Sequence, residues 1–335
     1  MLDTNLIDRV MPRLSKYDKF EQKIRLSHLR YTDDGYLVTQ RPVNDRKYFN
    51  ITDYAKESLL QKTGIPKTYF NKVEERNKKL ATEMMNDSLL SNKEYYTIKF
   101  MDDHVRGIID SNIKTLSDID MITAVQQGMA DNDYELRSLH IDHNGLFLKL
   151  LFKDSFKDTS VYAKTTSLRG GITIVNSDNL YSDTSVKPFL FRQVCTNDAT
   201  MISDKSFTLK NSQGFNFDDI SYKISSLVSF AILNSEVYVK TALDLNSLMI
   251  PRDSVKHIIE NICNEHNLSV NETKQVIASY MKEPMNTAFG VVNSFTDCAK
   301  NYETTDLYKK EKLENIGGYY INLDKNEWKE LIKVA

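Results

Sequence analysis

The sequence contains few of the residues that build disulfide-rich, fibrous or disordered proteins. It has 3 cysteines, 11 glycines and 6 prolines among 335 residues. The cysteines, Cys195, Cys263 and Cys298, lie far apart and form no C-x-x-C pair. We therefore expect neither a disulfide framework nor a cysteine zinc site, and we predict reduced, mostly buried thiols.

Long apolar runs are also missing. The most apolar window, residues 224–233, has half of the length that a membrane span needs and contains three serines, which predicts a core helix. The first twenty residues carry charges throughout, so no signal peptide is expected there. These features predict a cytoplasmic protein without a membrane partner.

Charge of one sign does not dominate the chain, because the net charge is -2. No global basic field therefore indicates a nucleic-acid or membrane partner. The positive charge is concentrated early, with 19 Lys and Arg against 14 Asp and Glu in residues 1–100. A cationic run of this kind is either a solvated helix face or a surface that follows phosphates. Its central members are Lys72, Arg76, Lys78 and Lys79.

Known catalytic and cofactor motifs are missing as well. The chain contains no Walker-type phosphate loop, no G-x-G-x-x-G, no G-x-S-x-G and no H-E-x-x-H. His140 and His143 flank a carboxylate at Asp142, but no further ligand cluster supports a metal site. We expect no metal and no cofactor.

Helix and strand signals indicate an α+β protein. Thr52 can begin a helix, Gly64 can end it and Pro66 can begin the next one, which predicts a helix-turn-helix segment. Ser117 and Ser269 begin capping-box patterns. Strands are predicted at residues 95–100, 136–141, 146–152, 171–175 and 186–195, with a hairpin turn at Asn144-Gly145.

The predicted fold is therefore a mostly antiparallel central sheet with the N-terminal helix-turn-helix segment and a helical C-terminal part. We expect residues 1–210 to form an α+β core domain. Residues 211–335 are expected to form a mainly helical part packed on or beside it.

One face of the predicted sheet combines cations with aromatic rings. Alternate residues from Leu146 onward are apolar and predict a core face, while the opposite face is mixed. Residues 184–197 contain no acid. Cations neutralise phosphates and rings stack on bases, which is what single-stranded DNA requires. The candidate residues are Lys149, Lys153, Lys187 and Arg192, with Phe147, Phe189 and Phe191. Alternatively, helices cover both faces and Arg192 pairs with a buried carboxylate.

Two short motifs carry a family resemblance. The segment G-I-T-I-V-N-S at residues 171–177 is followed by R-Q-V-C-T-N at residues 192–197. The residues concerned are Gly171, Asn176, Ser177, Arg192, Cys195, Thr196 and Asn197. The chain resembles the phage/plasmid-like family called domain of unknown function nine hundred and thirty-two, although Asp198 stands where that family usually has Gly. The resemblance implies a role in the DNA metabolism of bacteriophages, plasmids and other mobile elements.

Three functions stay open at this point. The first is a non-catalytic, homo-oligomeric protein that binds single-stranded DNA and promotes strand annealing in DNA recombination. The second is an enzyme of unrecognised type acting on nucleic acid. The third is a module that binds a host or phage protein. The polar set considered for an enzyme is Arg106, His140, Asp142, Arg169, Asn176 and Asn197.

Overall fold

The computed structural model describes residues 6–129, 133–156, 168–192, 197–200, 207–209, 217–302 and 307–334. It contains two six-stranded sheets and a helical C-terminal part. This confirms the α+β class, although the sequence predicts one central sheet and the structure has two.

The first sheet lies in the N-terminal third of the chain. Its strands follow one another in space as β1-β5-β6-β4-β3-β2, and only the described pair β4 and β6 is parallel. They are β1 (Lys19–Arg25), β2 (Leu29–Tyr31), β3 (Leu37–Val43), β4 (Arg46–Ile51), β5 (Tyr95–Met101) and β6 (His104–Asp110). Three helices pack with this sheet around Phe49, Phe70 and Phe100. They are α2 (Asp53–Lys62), α3 (Lys67–Arg76) and α4 (Lys78–Ser91).

The predicted helix signals in this region are confirmed. The Thr52 hydroxyl accepts a hydrogen bond from the Ala55 N–H at 3.2 Å, so it caps α2. Gly64 adopts a φ of +71° after the helix ends. Pro66 caps α3 rather than occupying its first turn. The helix-turn-helix segment therefore exists, but four strands precede it.

The second sheet is antiparallel, with the order β11-β10-β9-β8-β7 and β12 beside β10. Its strands are β7 (Tyr134–Ile141), β8 (Leu146–Phe156), β9 (Leu168–Asn176), β10 (Thr184–Arg192), β11 (Asn197–Thr200) and β12 (Phe207–Leu209). One face packs against α1 (Leu6–Leu14), α5 (Asp118–Gly128) and the first part of α6 (Phe217–Ser247). Leu146, Leu148 and Leu150 lie in this core, which confirms the predicted apolar face of β8.

The C-terminal helices surround a separate core that contains Phe295 and Trp328. They are α7 (Arg252–Glu265), α8 (Val270–Lys282), α9 (Ala288–Asn301), α10 (Leu307–Ile321) and α11 (Lys325–Val334). Cys263 and Cys298 are free and buried here, as predicted. Burial raises the pKa of the Cys263 thiol to about 11 and that of Cys298 to about 12.

The apolar window at residues 224–233 lies inside α6. Its residues Ile224, Leu227 and Val228 are buried in the core of the second sheet. No helix in the described part of the chain is both long and apolar enough to cross a bilayer.

Candidate functional site

The mixed face of the second sheet, which we call the outer face, lies under the C-terminal helices. It includes Lys149 of β8, Thr173 of β9 and Lys187 of β10, which are direct neighbours across the three strands. Helix α10 brings Glu311 and Glu314 onto this face. The outer face is therefore covered, as in the alternative interpretation of the sequence.

Both lysines of this face are neutralised by α10. The Lys149 Nζ atom donates to the two carboxylate oxygens of Glu314 at 2.7 and 2.8 Å. The Lys187 Nζ atom donates to Glu311 Oε1 at 2.5 Å. All four side chains are largely buried, so the pairs are shielded from salt. These two cations are already engaged and would reach a phosphate only by giving up their carboxylates.

The aromatic rings of the outer face are packed rather than open. Phe189 is 0% exposed, and Lys149 Nζ lies 5.5 Å from the centroid of its ring. Phe147 meets the ring of Tyr308 at 4.7 Å between centroids, with an interplanar angle of 76°. The expectation that Phe189 stacks on a base is therefore corrected, because helix packing and the neighbouring strands enclose its ring.

Of the remaining candidate residues of the sheet, Lys153 has a described side chain. Lys153 is 49% exposed and lies 3.6 Å from Asp133. Phe191 and Arg192 belong to β10, but their side chains lie outside the described part of the structure. Cys195 and Thr196 also lie outside it, while the backbone of Asn197 pairs with Arg192 across β10 and β11.

A second group of predicted cations lies on α3 and α4 and is exposed. We call it the α3–α4 patch, and it comprises Tyr69, Lys72, Arg76, Lys78 and Lys79. Tyr69, Lys72 and Arg76 follow at helical spacing and share one face of α3. Tyr69 is 57% exposed. The four cations form no ion pair with any other described residue. They can therefore meet a ligand without breaking a contact.

The acids around the α3–α4 patch compensate only part of its charge, since Glu75 is the one exposed acid within residues 69–79. Glu74 is held by Lys56 at 2.6 Å and accepts a hydrogen bond from the Tyr31 hydroxyl at 3.0 Å. Lys67, beside the patch, pairs with Glu57. Lys78 and Lys79 occupy the first turn of α4, where the positive end of the helix dipole disfavours cations. An anion bound at this turn would relieve that repulsion.

The first family motif forms a buried polar hub at the end of β9. The Asn176 side chain donates to the Leu116 carbonyl at 3.0 Å and to Asp118 Oδ1 at 2.8 Å. The Asn179 side chain donates to the carbonyls of Arg106 and His143, each at 2.9 Å. These bonds tie the second sheet to β6 of the first sheet and to the β7–β8 turn. The motif therefore has a clear structural role.

Residues of the hub lie so close to the backbone at Gly107 and Gly145 that these positions leave no room for a side chain. A Cβ atom on Gly107 would lie 2.8 Å from the Cβ of Asn179, and one on Gly145 would lie 2.3 Å from the Asn176 carbonyl oxygen. Larger residues at either position would push the hub away from the strands that it joins.

A cavity of about 490 Å³ opens beside the hub, lined by residues of α1, β1, β5, β6 and the start of α5. We call it the junction pocket. Lys19 pairs there with Asp118 at 2.5 Å, and Lys99 pairs with Glu21 and donates to the Thr115 hydroxyl at 3.0 Å. Cations and acids alternate around this pocket. Lys19, Lys99 and Asp118 carry no local sequence signal for this pocket, and Asp178 is marked only by its position directly after the N-S motif.

Arg106 and Asp178 form the most buried ion pair of the junction pocket. Arg106 is 1% exposed, and its Nη2 atom lies 2.5 Å from Asp178 Oδ2. Burial acts to raise the pKa of Asp178, but the charge and hydrogen bond of Arg106, with Lys19 and Lys99, outweigh it and hold that pKa below its ordinary value. Asp178 therefore stays ionised at neutral pH and serves as a fixed charge rather than a proton donor.

The polar set considered for an enzyme is not gathered into one site. Arg106 and Asn176 both lie near the hub, whereas His140 lies 3.5 Å from Asp142 and lines a different cavity. Arg169 pairs with Glu135 and donates to the Phe152 carbonyl. The side chain of Asn197 lies outside the described residues. The set therefore has no shared pocket in the described structure.

Comparison with known proteins identifies no family for this chain. No family model matches the chain, and no curated protein and no solved structure match it either. The resemblance to the phage/plasmid-like family therefore stays a prediction.

His140 and His143 were weighed as metal ligands in the sequence. The His143 ring lies against the His104 ring, with centroids 4.5 Å apart and an interplanar angle of 35°. No group of three or more His, Cys, Asp or Glu side chains among the described residues could hold a metal ion.

Stability should fall as the pH drops from about 7 toward 5, because burial and the neighbouring His104 hold the pKa of His143 below its ordinary value of 6.5. The unfolded chain takes up the proton near that ordinary value while the folded chain resists it, so the stability present above it is lost on acidification. Urea unfolding at pH 7.5 and 5.5 should show a smaller acid loss for His143→Asn. An equal loss in both proteins would contradict this assignment.

Proposed function

We propose that the protein binds single-stranded DNA through the α3–α4 patch. Four exposed cations and one exposed tyrosine lie together on two consecutive helices. Cations provide the salt-dependent attraction to phosphates, and a base stacked on a ring adds about 1–3 kcal/mol without sequence preference. The observation that carries the proposal is that these side chains are exposed within residues 69–79, whereas Lys149 and Lys187 of the outer face are already paired.

The proposed role is non-catalytic. Asp178 is held as a fixed charge by Arg106, and the polar residues considered for catalysis lie at separate places in the described structure. The resemblance to the phage/plasmid-like family supports strand annealing during recombination as the context. Annealing brings two strands along one surface, and we propose a homo-oligomer for that reason.

The triple variant Lys72→Gln, Lys78→Gln, Lys79→Gln should bind a labelled oligonucleotide at least tenfold more weakly at low salt. Each phosphate contact that is lost also lowers the dependence of log affinity on log salt, by about 0.7 for a single strand, so the slope should fall by about 2. Fluorescence anisotropy at several salt concentrations measures both quantities.

The matched control is Lys274→Gln, Lys282→Gln, Lys329→Gln. These three lysines are exposed on the C-terminal helices, so the control changes the net charge equally at a different surface. It should keep both the affinity and the salt slope. If both triple variants weaken binding to the same extent, the field of the whole protein is responsible and the patch is not the binding site. Absence of binding by the unmodified chain at low salt would remove the proposal.

A further inference from the structure

A cavity of about 360 Å³ lies between the outer face of the second sheet and helices α9 and α10. We call it the interface cavity. Its volume is within the range of small-molecule sites, which begins near 300 Å³. It is distinct from the α3–α4 patch and from the junction pocket.

The interface cavity carries a surplus of positive charge. Its charged lining residues are Arg137, Lys149, Lys300, Lys310, Glu311 and Glu314. The two acids are engaged by Lys149 and by Lys187, so they do not repel an anion with their full charge. Lys149 and Glu314 neutralise each other, and Glu311 is held by Lys187, which lies outside the lining. In a chain of net charge -2, the remaining cations Arg137, Lys300 and Lys310 give the cavity a positive surplus that favours an anionic ligand.

A buried hydroxyl in this cavity lacks a partner. Thr173 is 2% exposed, and its Oγ1 atom makes no hydrogen bond. It lies between Lys149 and Lys187 on the neighbouring strands. A buried polar atom without a partner is costly, so this hydroxyl favours a ligand with hydrogen-bonding groups.

The cavity also has an aromatic wall. Phe147 lines it, and the edge contact with Tyr308 fixes the orientation of the Phe147 ring. His140, which is 46% exposed, lies on the same lining. A planar ring held in place beside cations suits a ligand that combines a flat heterocycle with an anionic group.

From these features we propose that the interface cavity binds a nucleotide unit, with its phosphate near Arg137, Lys300 and Lys310 and its base against Phe147. Thr173 supplies a hydrogen bond to the polar edge of the ligand. Such a unit comes either from a free nucleoside monophosphate or from the phosphorylated end of a strand. The proposal does not depend on DNA binding by the α3–α4 patch.

Calorimetric titration of the full chain with adenosine and cytidine 5′-monophosphates tests the proposal. At least one should bind saturably, and its nucleoside and inorganic phosphate should each bind at least tenfold more weakly. Arg137→Gln and Thr173→Val should each weaken binding at least fivefold. The matched control Arg41→Gln, at an exposed position on β3, should stay within twofold.

Further measurements distinguish a free nucleotide from a strand end as the ligand and detect binding that is not specific to the cavity. If the cavity takes a strand end, a 5′-phosphorylated oligonucleotide should bind the triple patch variant at least fivefold more tightly than its 5′-hydroxyl form. Equal binding of the two assigns the free nucleotide. If Thr173→Val does not fold, the nucleotide affinities of Arg137→Gln and Lys310→Gln test the proposal instead. No saturation at millimolar nucleotide, binding unchanged in the variants, or inorganic phosphate binding as tightly as the nucleotide would each overturn the proposal.

Discussion

Replacing Arg106 by methionine should lower the free energy of unfolding by about 3–5 kcal/mol, because it leaves the Asp178 carboxylate buried without its partner. The arginine is 1% exposed, and its guanidinium forms an ion pair with Asp178, which follows the buried polar hub at the end of β9. With the guanidinium gone, burial is the larger influence and should raise the pKa of Asp178 above its ordinary value. The damage should therefore shrink as the pH falls and the carboxyl takes up a proton.

Urea unfolding at pH 7 and pH 5 measures both effects. The double variant Arg106→Met, Asp178→Leu serves as the control, because it removes both charges together. Replacing both members of a buried pair by apolar groups is often nearly neutral, so most of the lost stability should return. If the double variant is as unstable as Arg106→Met, the loss comes from packing and not from the unpaired charge.

Replacing Lys149 by methionine should destabilise the protein by about 2–4 kcal/mol and leave DNA binding intact. The lysine is paired with Glu314 on the covered outer face, so its removal takes the ion pair away from a largely buried carboxylate. The DNA affinity per folded molecule should stay within twofold, because the proposed strand follows the α3–α4 patch. Chemical unfolding and anisotropy on the same samples provide the two measurements.

The companion variant Lys149→Met, Glu314→Met should recover much of the stability. The prediction also separates two roles for this lysine. A stable Lys149→Met variant with weak DNA binding would assign Lys149 to phosphate contact and restore the outer face as the binding surface. A destabilised variant with normal DNA binding would assign it to the attachment of α10.

Local patterns predicted many of the elements. Alternation in β8 identified the core face correctly, and Thr52 and Ser269 cap their helices as expected. The strands β1 to β4 were missed, although the turn at Asn44-Asp45 was a usable signal. Both residues have positive φ, at 48° and 61°, and Asn and Asp tolerate that conformation at a two-residue hairpin.

Long-range pairing explains why the candidate site was only partly predicted. The cation and ring pattern of the outer face is compatible with either a nucleic acid or a covering helix. The partners that decide between them, Glu311 and Glu314, lie 124 and 165 residues away from Lys187 and Lys149. Likewise, the motif residue Asn176 was recognised, but its contacts with Leu116 and Asp118 depend on the tertiary fold.

Helix α6 has a consequence for any attempt to divide the molecule. At 31 residues it extends for about 46 Å, and it contributes to two separate cores: Ile220 and Ile224 to that of the second sheet, and Leu245 to that of the C-terminal helices. A fragment ended at residue 210 would lose one wall of its own interior and expose leucines such as Leu148 to water. Truncation before α6 therefore yields an aggregation-prone piece rather than an independent module.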